Sequence, residues 1–270
     1  MSVRLGALAG PLLVLVVVAG AVAAPWLTSV DPNAIVITPY HGPLAPTTGH
    51  LLGTDTLGRD VWARLLYGAR TSLFVGIASM VLSLGIGVAV GLTAGYFGGA
   101  IDGALMWIVD LLLTLPSLLL LVVLSTVFPP TPWTVPLVIG SVGWTGFART
   151  VRSEVLSVRA RDYVTAAQAI GATHVRIMAR HVVPAVLPNI IVLAALGTSG
   201  AVTLDAGLSY LGLGVPLPTP SWGRMISEAQ TYFAVAPWLV VFPGAAIAIT
   251  AIGFNLIGQG LLARLDGRPQ

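Results

Sequence analysis

Arg161, Asp162, His174, Arg176, Arg180 and His181 crowd into one polar segment that ends at Pro184, in a chain that is otherwise mostly apolar. Groups of these types can ligate a metal, move a proton, bind an anion or dock a partner, and spacing decides among them. The histidines His41, His50, His174 and His181 form no zinc-ligand pattern. Cysteine is absent, which excludes disulfides, thiolate metal sites and cysteine nucleophiles. All 13 basic residues are arginine, so there is no lysine for Schiff-base chemistry. The chain has no Gly-x-x-x-x-Gly-Lys-Ser/Thr phosphate loop, no His-Glu-x-x-His pair and no Gly-x-Ser-x-Gly elbow. ATP hydrolysis and the common hydrolase chemistries are therefore not expected of it, and docking remains. Asp162 is placed to cap a helix running to Ile170, and Gly171 to end that helix in a left-handed C-cap. Thr173 can cap a second short helix, and Pro184 closes the segment before the next apolar run. Two other readings fit the same residues: a helix-turn-helix reader of DNA, for which no soluble surround exists, and a plain basic loop.

A segment like this needs elements to hold it, and composition says what they are. The chain is 56% hydrophobic and 9% charged, with a mean hydropathy of +0.92. Soluble domains are about 25% charged, so the bilayer must be the solvent here. Six apolar runs approach the length needed to cross it: 5–24, 72–95, 104–128, 133–148, 185–204 and 237–262. The expected fold is an all-α integral membrane protein of six transmembrane helices. With the N-terminus inside, the inner side holds Arg4, Arg149, Arg152, Arg159, Arg161, Arg176, Arg180, Arg264 and Arg268. The outer side then holds Arg59, Arg64, Arg70 and Arg224, which agrees with the positive-inside bias. Both termini and the segment 149–184 are thus expected in the cytoplasm. Arg4, the first apolar run and Ala21-Val22-Ala23 also resemble a secretory leader. That run has about the length of a full span, which favours a retained helix over 1–28. An extracytoplasmic loop follows over 29–70, then a core of five helices over 71–262 and a tail over 263–270.

Gly87, Gly91 and Gly95 recur on one face of the second run and allow a close helix approach. Asp110 falls inside the third run, where a carboxylate is costly and should face protein or a water-filled path. Pro116, further along, should kink that helix. Asn189 in the fifth run, and Asn255 and Gln259 sharing a face of the sixth, can line a path or bond across helices. The loop 205–236 is rich in Gly and Pro and carries Trp222 and Tyr232, a candidate surface for a soluble partner or a lid lying on the membrane. In the first outer loop Gly53 and Gly58 bracket tight turns, and Arg59 can pair with Asp55 or Asp60.

Beyond these local readings, the chain resembles a known family in ordered pieces. These are Gly53-Thr54-Asp55 with Gly58-Arg59-Asp60, Gly68-Ala69-Arg70-Thr71-Ser72-Leu73, Gly95-Tyr96-Phe97-Gly98-Gly99, Leu115-Pro116-Ser117, Leu208-Ser209-Tyr210-Leu211-Gly212 and Ser221-Trp222-Gly223. Together they are similar to the second permease subunit of the dipeptide, oligopeptide and nickel importers of the ABC class. The segment with Ala166, Ala167, Gly171 and Pro184 resembles the cytoplasmic coupling loop of such permeases. The resemblance implies the type I importer permease fold in a bacterial inner membrane. It implies a second, homologous permease, one or two ATPase subunits that carry ATP and Mg, and an extracytoplasmic solute-binding protein as partners. It implies no cofactor on this chain and no nucleic acid. The coupling residues would be Asp162, Thr165, Ala166, Ala167, Gly171, Arg176, Arg180 and Pro184, with Ala166, Ala167 and Gly171 seating the loop on an ATPase. Thr165 and Asp205 stand where relatives usually carry Glu. Peptides are the expected solute, with nickel or another small solute as the alternative. A transporter or channel that needs no ATPase is the rival of a different class.

Overall fold

A bilayer offers no water to backbone amides, so an apolar chain satisfies them internally as helices. The computed structural model describes residues 2–36 and 42–265, with side chains from residue 8 onward. His41, Arg268, the end of the tail and the side chain of Arg4 lie outside the described residues. The long helices are α1 (Ser2–Leu27), α2 (Val61–Phe97), α3 (Gly99–Thr114), α4 (Ser117–Val127), α5 (Thr134–Arg159), α8 (Val183–Tyr210) and α10 (Trp238–Leu265). Short helices α6 (Asp162–Ala169), α7 (His174–Ile177) and α9 (Trp222–Glu228) lie in the connections.

Among the described residues four helical stretches are long and apolar enough to cross a membrane: Leu8–Leu27, Val61–Phe97, His174–Tyr210 and Trp238–Leu265. The α3–α4 pair makes a fifth if it is one bent span. Length and apolarity therefore support four or five spans rather than the expected six. The shortfall is α5, the least apolar of the long helices, with Arg149, Arg152 and Glu154 in its second half. The kink expected at Pro116 is a full break, with α3 and α4 meeting at 90°. Leu115 and Pro116 are both extended (ψ 132° and 120°). Proline lacks the N–H the helix needs and drives the residue before it out of the helical region.

The 37-residue α2, about 55 Å long, is the element on which the others assemble. Its glycine ladder packs against α5 as expected. A Cβ on Gly91 would sit 2.6 Å from the Ala148 carbonyl oxygen, and one on Gly95 2.9 Å from that of Arg152. Backbone meets backbone there, and only glycine leaves the room. A second close approach joins α1 to α10, where a Cβ on Gly10 would lie 2.9 Å from the Gly253 carbonyl oxygen. Arg70 of α2 donates from Nε to the Ala21 carbonyl of α1 at 2.6 Å. Pro25, four residues after Ala21, cannot donate to that carbonyl, so the guanidinium takes the place of a helical N–H. Arg70 is thereby a structural ligand of α1.

Candidate functional site

The polar segment forms a bracket with one face fixed and one face free. Val164, Ala167 and Ile177 are buried against Val151, Val155 and Val158 of α5 and Val182 and Val186 beyond α7. Each fully buried Val or Ile contributes about 1.5–3 kcal/mol. Tyr96, at the end of α2, is buried in the same cluster and its hydroxyl lies 3.0 Å from His174 Nδ1. Gly171 adopts φ +80° and closes α6 with a Schellman pattern: the Ala172 N–H donates to the Ala167 carbonyl at 3.1 Å. Thr173 caps α7, accepting from the Arg176 N–H at 3.4 Å. These turns agree with the sequence reading.

Three details differ from it. Arg161, not Asp162, occupies the N-cap of α6; Asp162 is the first helical residue and makes no side-chain cap. Its carboxylate still sits at the positive end of the helix dipole. Ala167 is 7% exposed and points into the chain's own core, so it supports the bracket from behind instead of seating it on a partner. Pro184 does not close the segment. Helix runs unbroken from His174 to Tyr210 through a π-helical turn at Met178–Val182, in which the Val183 N–H reaches back to the Met178 carbonyl. The wider turn lets proline enter the helix.

On the free face lie Thr165, Ala166, Gly171, Arg176 and Arg180, all exposed. At its tip are two residues that the motif reading missed: Ile170 and Val175 are 85% and 78% exposed. They lie on either side of Gly171 in the chain. Val175, two residues before buried Ile177, falls on the opposite face as period requires, but Ile170, three residues after Ala167, would be read as inward, so helical period did not signal it.

At the other end of α2 an ion cluster ties the loop between α1 and α2 to α9. Arg59 Nε pairs with Asp55 at 2.7 Å and its Nη2 with Glu228 at 2.6 Å. Arg64, fully buried, pairs with the same Glu228 at 2.9 Å and with Asp55 at 3.2 Å. Arg224 reaches Glu228 at 3.3 Å. Asp60, the other partner considered for Arg59, instead caps α2 through the Ala63 N–H at 2.8 Å and meets His50 Nδ1 at 2.9 Å. Glu228 and Arg64 were invisible as a pair because 164 residues separate them. Trp222 is 1% exposed; its indole N–H donates to the Leu65 carbonyl at 3.0 Å and its backbone N–H to Ser72 Oγ at 3.1 Å. It is thus a core residue, unable to touch a soluble partner, and Tyr232 packs half-buried on the same core.

Of the polar residues in apolar runs, Asp110 is not buried within the chain. It pairs with Arg149 of α5 at 2.5 Å, and the two side chains are 61% and 58% exposed. Next to them Asp102 holds Arg152 with two short bonds, 2.5 and 2.6 Å. The deeply buried carboxylate is Asp205 of α8, 1% exposed, whose contact is Ser209 Oγ at 3.5 Å. Asn255 and Gln259 do share a face: Gln259 Nε2 donates to Asn255 Oδ1 at 2.6 Å, beside Ser199 in an open groove of about 320 Å³. Asn189 is half-buried on α8 and does not line that groove. Among the described residues no three His, Asp or Glu side chains gather as a metal site.

The sequence that builds this bracket and bundle has relatives. The family described as "Binding-protein-dependent transport system inner membrane component" matches residues 87–270. The chain belongs to that family. It is similar to the oligopeptide transport system permease protein OppC of Bacillus subtilis (strain 168), 38% identical over 260 residues that cover 96% of this chain and 85% of that one. The dipeptide transport system permease protein DppC of Haemophilus influenzae is 36% identical over 268 residues, 97% of this chain and 90% of that one. The nickel transport system permease protein NikC of Escherichia coli (strain K12) is 38% identical over 265 residues, 98% of this chain and 94% of that one. The family match contains the whole α6–α7 bracket, α8 and α10. The full-length relatives extend the likeness to the ion cluster and α1.

Proposed function

We propose that this permease is one half of the membrane passage of an ATP-driven importer of di- or oligopeptides. The observation that carries the reading is the α6–α7 bracket. Its underside is locked to α2, α5 and α8, while Ile170 and Val175 stand bare on either side of Gly171. Exposed apolar tips on a rigid base suit insertion into a groove of a folded partner. In this reading an ATPase subunit supplies the groove and holds the ATP and Mg. Thr165, Ala166, Arg176 and Arg180 surround the tip, Asp162 opens the first helix of the bracket, and Pro184 lies within the continuous helix that leaves it.

The chain crosses the membrane six times, with α3–α4 as one bent span and α5 as a span shielded by protein. Both termini lie in the cytoplasm of a bacterial cell, and the GTDxxGRD loop and α9 lie outside, where a solute-binding protein delivers its cargo. A homologous second permease covers the ion pair exposed at membrane depth, Asp110 with Arg149, while Asn255 and Gln259 face the passage. The break at Pro116 lets α3 and α4 move separately when the passage opens. The cycle is alternating access: the ATPase dimer binds one bundle conformation better than the other and so shifts their populations. A second solute, nickel, is supported by the Escherichia coli relative, whose identity equals that of the oligopeptide relative.

Co-purification tests the reading. Gentle extraction of the tagged protein from its host should bring a second permease and ATPase subunits, and Ile170→Asp with Val175→Asp should release the ATPases alone. Recovery of the chain with no nucleotide-binding partner, even after mild cross-linking, would support a transporter that needs none.

A further inference from the structure

α10 is a 28-residue apolar helix, yet Asn255 and Gln259 stand exposed on it, about 15 and 9 Å from its end at Leu265. Side-chain amides at that depth do not face lipid; they face protein or a water-filled path. The two are already joined, Gln259 Nε2 donating to Asn255 Oδ1 at 2.6 Å. That bond consumes one donor and one acceptor. It leaves the Asn255 amide N–H groups and the Gln259 carbonyl oxygen free on neighbouring turns, a donor and an acceptor side by side. An extended peptide residue presents the complementary pair on one edge, its own N–H and its own carbonyl oxygen. The groove in front, about 320 Å³, is lined otherwise by Ser199, Ala251, Ile252 and Leu256. It holds far more than one water, whose share of liquid volume is about 30 Å³. Its small and aliphatic walls carry no charge that would select one solute side chain over another.

We propose that the Asn255–Gln259 pair is a contact station for the moving solute, which it holds by the backbone N–H and carbonyl of one residue irrespective of side chains. The inference rests on the reading of this chain as half the passage of a peptide importer. It explains how a passage could guide peptides of many sequences: the one feature they share is the group the station fits.

The test uses the whole complex, with partner permease, ATPases and binding protein, reconstituted into liposomes. Uptake of labelled trialanine is compared with that of trialanine N-methylated on the nitrogen of its central residue, both at concentrations that saturate the binding protein. In the unaltered complex, methylation should slow uptake about fivefold, the effect of one lost hydrogen bond. In Asn255→Leu with Gln259→Met, trialanine should fall to the rate of the methylated peptide and the difference between the two should vanish, while the subunits still co-purify. Trialanine uptake at the unaltered rate in the double variant would overturn the station. Loss of the second permease from the purified complex would overturn it too, by making the pair a contact between subunits. Failure of the unaltered complex to carry either peptide is a separate result: it removes the peptide reading itself, and the station with it.

Discussion

Substitutions at Gly171 separate two explanations of why a small residue sits there. One is bulk: a side chain would foul the partner's groove. The other is backbone: φ is +80°, and a Cβ at this position would meet nothing within 4 Å in this chain. If backbone governs, the cost is that of holding an L-residue in the left-handed region, about 1–2 kcal/mol, and greater for a β-branched residue. An exposed two-helix tip lies at the low end of local stability. The cost then appears as a roughly 5–30-fold fall in the fraction of correctly formed loop. Asparagine tolerates this conformation better than alanine, and alanine better than valine. The expected order of transport and of binding-protein-stimulated ATPase activity is therefore Gly171, then Gly171→Asn, Gly171→Ala and Gly171→Val. Levels in the membrane should be equal, because the inward core of α6 and α7 is untouched. The assay is stimulated ATP hydrolysis by the reconstituted complex, alongside quantitative blotting of membranes. Normal coupling in Gly171→Val would refute the backbone argument. So would equal inactivity of the Asn and Val variants, since Asn is bulky but conformationally suited.

Three further outcomes follow from the packing. Gly91→Ala and Gly85→Ala make the same change on the same helix with opposite results: the first drives a Cβ against the Ala148 backbone and should cost about 1–3 kcal/mol, while the second meets open space and should be neutral or slightly stabilising, as thermal melting in detergent would read. Glu228→Ala removes one of the two carboxylates shared by Arg59 and Arg64 and should cost about 3–5 kcal/mol, because two buried guanidinium groups are left with Asp55 alone; Glu228→Ala with Arg64→Met should melt well above Glu228→Ala alone. Asp110→Arg places like charges where the structure has a 2.5 Å ion pair, and should lower uptake severalfold, with recovery in Asp110→Arg combined with Arg149→Asp; no recovery in the swapped pair would show that each charge has its own separate partner.

How much could be read beforehand follows a physical divide. Apolar runs locate helices well because in a bilayer there is little else an apolar chain can do. The Gly171 and Thr173 caps were legible because a cap is a local event, decided by residues three or four apart. So was the contact face of Gly87, Gly91 and Gly95, which is a matter of period. The long-range polar choices were not. Arg59 had two acids nearby in sequence, and the structure adds a third, Glu228, from α9. Asp110 looked like the buried acid because it lies in an apolar run; it is paired and exposed, and Asp205, at the edge of a loop, is the one that is buried. Trp222 looked like surface because its neighbours are Gly, Pro and Ser, yet a reentry of the loop buries it against Leu65 and Ser72. Pro184 looked like a stop because a proline normally is one; a single π-helical turn was enough to carry the helix past it.

The same contacts dictate where this protein can bend. α2 is tied to the bracket at Tyr96–His174, to α5 through backbone contacts at Gly91 and Gly95, and to α9 through Glu228 and Trp222. Displacing the bracket relative to α2 would open a buried apolar cluster, and displacing α5 would open a glycine interface with no side chains to fill the gap. α2, α5, α6, α7 and α9 should therefore move as one body, which carries a push at the tip of the bracket some 55 Å along α2 to the ion cluster at its other end. The give must lie where backbone bonding is already interrupted, at Leu115–Pro116 between α3 and α4. A chain without cysteine lets this be measured with introduced thiols alone. Spin labels at Leu57 and Thr231 flank the ion cluster, and their separation should stay constant when ATP and then ADP occupy the ATPases. Labels at Trp107 on α3 and Val123 on α4, both exposed, should change distance across the break. A constant α3–α4 distance with a changing Leu57–Thr231 distance would place the hinge at the ion cluster and end the single-body argument.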